Sequence, residues 1–573
     1  MIANKTNKQS RILFYENLGN LTKTLLCCFI VLFKISYAQN NSKIDALFEK
    51  YDSSETPGIA VSVVKDGSVI YQKGFGMANL EYGIPITENT KFHVASLSKQ
   101  FTAFMILKLE NDGLLSINDD IRKYIPELPD YGNTITINHL LTHASGIRDQ
   151  WRLLEMAGWQ LDDVIKTSQI FKLIKNQKEL NFSPGTSFMY SNSGYTILAI
   201  LIERLTKTSF AEYAKQTIFQ PLQMSDSFFY DDHEEMVSNR AYSYKLVNKK
   251  LKKSNLNFAT VGPTSLFTTV VDMNKWAVNF KHMTVGNTSI FQSMNQRAQK
   301  NDGSVSNYAK GQFVKNYKGL KMIYHSGSDA GYRCYFARFP ELGYEFTLFA
   351  NASYISAYDE IFKLIDHYLQ DQYPKNENTT SKTEVTPTDD NLFIKLSYAE
   401  MKKFEGTYFD REEKQYWNVK IENDTLYCKG GVIPEDIKLH PIGKTNFKIL
   451  GTPYDISINF KENDYKEPVL EFRIPDVMWL WLVKVTKTNP SKYLGSYYSD
   501  ELKTQYDFVE KENDLYLTHH KLDDIQVTQI NEAYFSSNNR NFSNIRFMQN
   551  NSGKITGFSA SNDGAKNIVF SRK

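Results

Sequence analysis

The sequence predicts an α+β unit followed by two small antiparallel β-barrels, and three observations carry that reading. Strand-like apolar runs stand at both ends of residues 39–372, with helical periodicity between them. Residues 373–391 contain almost nothing apolar. Beyond them the texture changes to short alternating strands with an internal repeat. At 573 residues the chain is too long for one ordinary domain, and its 41% hydrophobic and 23% charged residues are those of a globular protein.

Lys5, Lys8, Arg11 and Lys23 precede an apolar run over 25–33, followed by the small-x-small site Ser36-Tyr37-Ala38. This pattern predicts a secretory signal over 1–38, and so a periplasmic or secreted protein. The run is short of the roughly 20 residues of a membrane span, so none is expected to persist after cleavage; a retained anchor is the alternative. Neither Leu26 before Cys27 nor Cys27 before Cys28 is the small residue a lipoprotein site needs. Cleavage leaves Cys334 and Cys428, in different units, which read as free packing residues. No Cys, His, Asp and Glu cluster has zinc-ligand spacing, and no metal or cofactor is expected. Net charge is only +3, and the basic cluster Lys249, Lys250, Lys252 and Lys253 reads as an exposed hairpin tip. Nucleic acid is not an expected partner.

Along the first unit, strands are predicted over 59–64 and 68–71, joined by Lys65-Asp66-Gly67. A long helix starts near Ser96, carries Phe101, Phe104, Met105, Leu107 and Leu109, and ends near Gly113. Further helices are predicted over 194–206 and 272–281, strands at 313–314, 331–339 and 344–349, and a helix over 357–370. The arrangement argues for one sheet built from distant segments, with an inserted helical region and a linker over 373–391. In the tail, Phe404-Glu405-Gly406-Thr407-Tyr408 matches Tyr493-Leu494-Gly495-Ser496-Tyr497. Likewise Glu422-Asn423-Asp424-Thr425-Leu426-Tyr427 matches Glu512-Asn513-Asp514-Leu515-Tyr516. Two barrels, over 392–489 and 490–573, are the natural reading; one larger β domain is the alternative.

Chemistry enters with Ser96-Leu97-Ser98-Lys99. A serine hydroxyl needs a neighbouring base, and at a helix start residues i and i+3 share a face, so the Lys99 amine can reach the Ser96 oxygen. Ser-x-x-Lys alone is expected by chance about twice in a chain this long. Tyr190-Ser191-Asn192 follows the tight turn Phe182-Ser183-Pro184-Gly185. A phenol beside an ammonium can relay a proton, and an amide there can orient the lysine or a substrate carbonyl. His325-Ser326-Gly327 precedes the late strands, where a glycine would let substrate lie close to the strand. The plainer readings are a core tyrosine, a capping asparagine and a strand histidine.

Together, in this order, these motifs resemble the penicillin-recognising (class C β-lactamase-like) serine hydrolases. The likeness runs through Pro57-Gly58-Ile59-Ala60-Val61, Phe92-His93-Val94-Ala95-Ser96, His139-Leu140-Leu141-Thr142-His143-Ala144-Ser145-Gly146 and Pro221-Leu222-Gln223-Met224, and spans about residues 45–370. The resemblance implies that Ser96 is acylated, that Lys99 and Tyr190 move the proton, and that the N–H groups of Ser96 and Ser328 form an oxyanion hole. It implies that Asn192 positions substrate and that His325 lines the strand edge beside Gly327. Burial together with Tyr190 is expected to hold Lys99 neutral. Class C β-lactamases carry Lys at the position of His325; His is similar to the DD-peptidases, D-aminopeptidases and esterases of the family. Arg333 is a candidate partner for a substrate carboxylate, with a surface ion pair as the alternative. The tail resembles that of three-domain D-aminopeptidases and also appended lipocalin-like barrels. The expected partner is a small molecule or peptide, with cell-wall fragments the first guess. A carboxylesterase, a β-lactamase and a catalytically idle penicillin-binding or sensor protein are the alternatives.

Overall fold

The structure, a computed structural model, describes residues 41–374 and 393–573 except positions 453, 476 and 487. The leader reading and the linker from residue 375 onward lie outside the described residues. No helix among the described residues is long and apolar enough to cross a membrane.

Six antiparallel strands form the first sheet: β1 (Ile59–Lys65), β2 (Ser68–Phe75), β3 (Phe313–Tyr317), β4 (Leu320–Asp329), β5 (Tyr332–Phe339) and β6 (Tyr344–Ala350), in the order β3-β4-β5-β6-β1-β2. The first and last segments thus meet in its middle, with Ile59 opposite Ala350 and Lys65 opposite Tyr344. Both faces of β1 are covered, which is why it reads as an almost unbroken apolar run. Ile59, Val61 and Val63 face a core shared with Ile361, Leu364 and Ile365 of the helix Ala357–Leu369. Ala60 faces the opposite core, shared with α1 (Ser98–Asn111) and the helix Val270–His282. Helix α1 buries eleven of its fourteen residues, from Ser98 through Leu107 together with Leu109. The helices predicted at 194–206, 272–281 and 357–370 appear as Asn192–Thr206, Val270–His282 and Ala357–Leu369. The lysine cluster forms a hairpin between Tyr244–Val247 and Lys250–Lys253, with Asn248 and Lys249 at positive φ in its two-residue turn. Cys334 and Cys428 are buried and free.

Both tail repeats form curled antiparallel sheets. In each, the matched Gly406 and Gly495 start the first strand with φ of 144° and 139°. The tyrosine two residues on donates back four positions, Tyr408 to the Phe404 carbonyl and Tyr497 to that of Tyr493. The matched turns differ: positive φ falls on Asn423 and Asp424 in one and on Glu512 and Asn513 in the other, so the turn is displaced by one residue. The second repeat closes as an eight-stranded barrel. The first is a nine-stranded sheet whose edge strands, Ile433–Lys438 and His440–Pro441, are consecutive in sequence, so the chain bends at Leu439 instead of completing the ladder.

The second barrel docks on the first unit through a buried polar seam. Arg148, fully buried, donates to Glu501 (2.5 Å) and Gln177 (3.0 Å). The Tyr506 hydroxyl donates to the Met156 carbonyl (3.1 Å).

Candidate active site

The site is built around a strained turn. Ala95 has φ of +50°, a left-handed conformation costing an alanine on the order of 1 kcal/mol or more. It is the first residue of the 3₁₀ turn Ala95–Leu97 that feeds α1. Two contacts hold it. The Ala95 N–H donates to His93 Nδ1 (3.3 Å), and Gly327 on β4 lies directly against it. A Cβ at Gly327 would stand 2.3 Å from the Val94 carbonyl oxygen and 3.2 Å from the Ala95 Cβ. The missing side chain of Gly327 thus makes room for the turn that presents Ser96.

From α1, the buried Lys99 Nζ donates to Ser96 Oγ (3.1 Å), Asn192 Oδ1 (2.8 Å) and the Pro263 carbonyl (2.8 Å). Burial lowers its ammonium to about 7, opposed by the nearby carboxylates of Asp329 and Asp149. Tyr190 does not help to neutralise it. Its ring face lies 4.8 Å from Nζ, a cation–π arrangement that favours the charged form. The Tyr190 hydroxyl is buried with no hydrogen-bond partner among the described residues, and burial pushes the phenol well above its ordinary value. His143 packs tilted against the Tyr190 ring, centroids 4.2 Å apart, and accepts the Ser191 N–H at Nδ1 (3.2 Å); burial holds it well below the usual histidine range. Asn192 bridges Lys99 and Asp149 at the cavity wall. Its Oδ1 takes Lys99, its Nδ2 donates to Asp149 (2.8 Å), and its backbone N–H donates to the same Asp149 oxygen (2.7 Å).

These groups open onto a cavity of about 890 Å³ lined by Ser96, Tyr190, Asn192, His325, Ser326, Ser328 and Asp329, with Trp151, Phe188, Phe258 and Phe313 as apolar walls. His325 is neutral: burial lowers it to about 3, Nδ1 bonds the Ser326 carbonyl (2.6 Å), and Nε2 faces the Tyr308 hydroxyl (3.3 Å). Arg333 stands outside the cavity lining, with Nη1 donating to the carbonyls of Ala330 (3.1 Å) and Tyr332 (2.7 Å). Sequence reasoning missed Asp329, a partly buried carboxyl pushed up to about 6 by desolvation that accepts from the Thr264 hydroxyl. Asp149 was also missed, though it stands three residues beyond Gly146 in a motif already singled out. Arg540, which the second barrel contributes to the cavity wall, carried no sequence signal.

The family model described as Beta-lactamase matches residues 44–369. Penicillin-binding protein 4* of Bacillus subtilis (strain 168) is 26% identical over 453 residues, covering 75% of this chain and 97% of its own. Protein flp of Staphylococcus aureus (strain MRSA252) is 27% identical over 344 residues, 57% of this chain, which thereby spans 65% of flp. The solved octameric penicillin-binding protein homologue from Pyrococcus abyssi aligns with a TM-score of 0.52 and 26% identity, over 78% of this chain and 99% of that one. With more than half of its length matched and the Ser96–Lys99 pair seated in the cavity beside Tyr190, the chain belongs to the Beta-lactamase family.

Proposed function

We propose that the protein is an exported serine hydrolase that cleaves an amide or ester through an acyl-Ser96 intermediate. The observation that carries this reading is the buried Lys99 amine, lowered to about 7 and 3.1 Å from Ser96 Oγ. A base poised near neutrality can accept the serine proton as Oγ attacks the substrate carbonyl. Tyr190, whose phenol stays protonated, is the group placed to give a proton to the leaving amine or alcohol. The N–H groups of Ser96 and Ser328, both at the cavity wall, are assigned to the carbonyl oxygen as it gains charge. Asn192 holds Lys99 in place.

A peptide bearing a D-residue, as in cell-wall fragments, is the first substrate class. The relationship to a penicillin-binding protein supports it, and export follows from the leader-like residues 1–38. The neutral His325 favours a second reading, a carboxylesterase, because a neutral imidazole grips a substrate carboxylate less well than the lysine of class C β-lactamases. The same feature weighs against efficient β-lactam hydrolysis. Side-by-side turnover of D-amino-acid amides and short-chain nitrophenyl esters tests the choice. Faster amide cleavage supports the first reading, and ester cleavage alone supports the second. Turnover of neither, with no covalent adduct, would leave a binding protein.

A further inference from the structure

We infer that Asp149 is a positioning residue for Lys99, and that it is seated by the 562–565 turn of the second barrel, which makes that barrel part of the catalytic apparatus. The inference rests on Lys99 acting as the base for Ser96, and on a chain of contacts from one domain to the other.

In the barrel, Asn562 Oδ1 accepts the N–H groups of Gly564 (3.0 Å) and Ala565 (2.7 Å), fixing a tight turn. The Gly564 carbonyl then accepts the Asp149 N–H (2.8 Å) and Asn181 Nδ2 (2.9 Å). The approach needs a glycine: a Cβ at position 564 would lie 2.9 Å from both the Asp149 Cβ and the Arg152 Cγ. Asp149 is itself 6% exposed and divides its two oxygens. Oδ1 caps the helix Gln150–Met156 by accepting from Trp151 and Arg152. Oδ2 accepts from the backbone N–H and from Nδ2 of Asn192, whose Oδ1 faces Lys99 Nζ at 2.8 Å. An amide is ambivalent in orientation, and Asp149 decides it: only with Nδ2 turned to the carboxylate does Oδ1 point at the lysine. Neighbouring Arg148 reinforces the seam, its guanidinium on Glu501 and its carbonyl accepting from Ser193 (2.6 Å). The charged and titratable groups around Lys99 are Asp149, Asp329, His143, His325, Tyr190 and Tyr195.

The test uses the full chain, a fluorophosphonate probe that phosphonylates an activated serine, and the variants Asp149→Asn and Gly564→Val. An asparagine at 149 offers one acceptor oxygen where two are used, so it can cap the helix or hold Asn192 but not both. The expected result is a labelling rate at saturating probe lower by about 10–100-fold in both variants, with probe affinity little changed. In Asp149→Asn the rise of rate with pH also moves to lower pH, because a carboxylate that favours protonated Lys99 is gone. Circular dichroism and size-exclusion profiles check folding, and Gly564→Ala stands in if the valine variant misfolds. Crystal structures of the same variants give the second reading: Asn192 turned and Lys99 Nζ drawn away from Ser96 Oγ. Lys99 unmoved in Asp149→Asn crystals, or wild-type labelling with the turn displaced by Gly564→Val, would overturn the inference. Failure of the wild-type enzyme to label refutes the acyl-serine reading alone, and the crystal geometry still decides the relay.

Discussion

Replacing Gly327 by alanine tests how tightly the sheet holds the nucleophile. The added Cβ would stand 2.3 Å from the Val94 carbonyl oxygen, whereas ordinary contact begins at 3.4 Å. Strand β4 and the Val94–Ser96 turn must therefore separate by about 1 Å, since the obstacle is backbone with no rotamer to yield. The turn cannot follow freely, because Ala95 already sits at φ +50° and is tied to His93. Overpacking of this kind costs about 1–3 kcal/mol, and a 1 Å displacement of a reacting group can cost about 100-fold in rate. Thermal unfolding and the rate of Ser96 acylation by a fluorophosphonate measure the two effects. We expect a Tm lower by a few degrees and a rate loss near two orders of magnitude. A Gly327→Ala enzyme with wild-type rate and Tm would refute the argument that this glycine exists for the turn.

Other perturbations give equally definite outcomes. With Lys99 near 7 and acting in its neutral form, the acylation rate should climb as pH rises through about 7 and then level off. Asp329→Asn should move that climb to lower pH, since the Asp329 carboxylate favours protonated Lys99; an unmoved pH–rate profile would count against their coupling. Glu501→Ala strips the fully buried Arg148 of its buried carboxylate, leaving the more distant, exposed Glu179 (3.8 Å), and should destabilise by about 3–5 kcal/mol in chemical denaturation, with much of the loss recovered when Arg148 also becomes Met. Glu467 joins Arg411 of the first tail sheet to Arg546 and Asn531 of the second barrel and is held down at about 2. Its stabilisation is fully present above pH 4.5, on the order of 3 kcal/mol, and is lost as pH falls toward 2. Glu467→Gln should therefore flatten the acid limb of the stability–pH curve.

Much of the fold was legible because its signals are local. Short apolar runs separated by a turn marked β1 and β2, and the 3.6-residue period marked α1 and the helix Ala357–Leu369. The repeat in the tail was legible from a tyrosine that bonds back four residues in both copies. Two barrels were legible from the spacing of that repeat; that the second closes its ladder and the first does not was not, since closure depends on whether edge strands far apart in sequence pair, as those around Tyr497 and Arg572 do. The same division holds at the site. Ser96 and Lys99 lie three residues apart across the 3₁₀ turn and the first turn of α1, a local spacing that, joined to the other motifs, brought them together. Arg333 shows the opposite case: near the site in sequence, it is turned away by two backbone carbonyls that no composition reveals. Asp149 and Asp329 owe their importance to burial beside Lys99, a property of the packed molecule.

The central claim, that Ser96 is acylated by substrate, is tested most directly by intact-mass spectrometry of residues 39–573 after exposure to a fluorescent penicillin, beside Ser96→Ala. The expected result is a mass increase of one drug molecule on the wild-type chain, trapped at short times if turnover is fast, and none on the variant. An adduct of equal yield on Ser96→Ala, or neither adduct nor drug loss with any amide, ester or β-lactam offered to the wild-type protein, would contradict it.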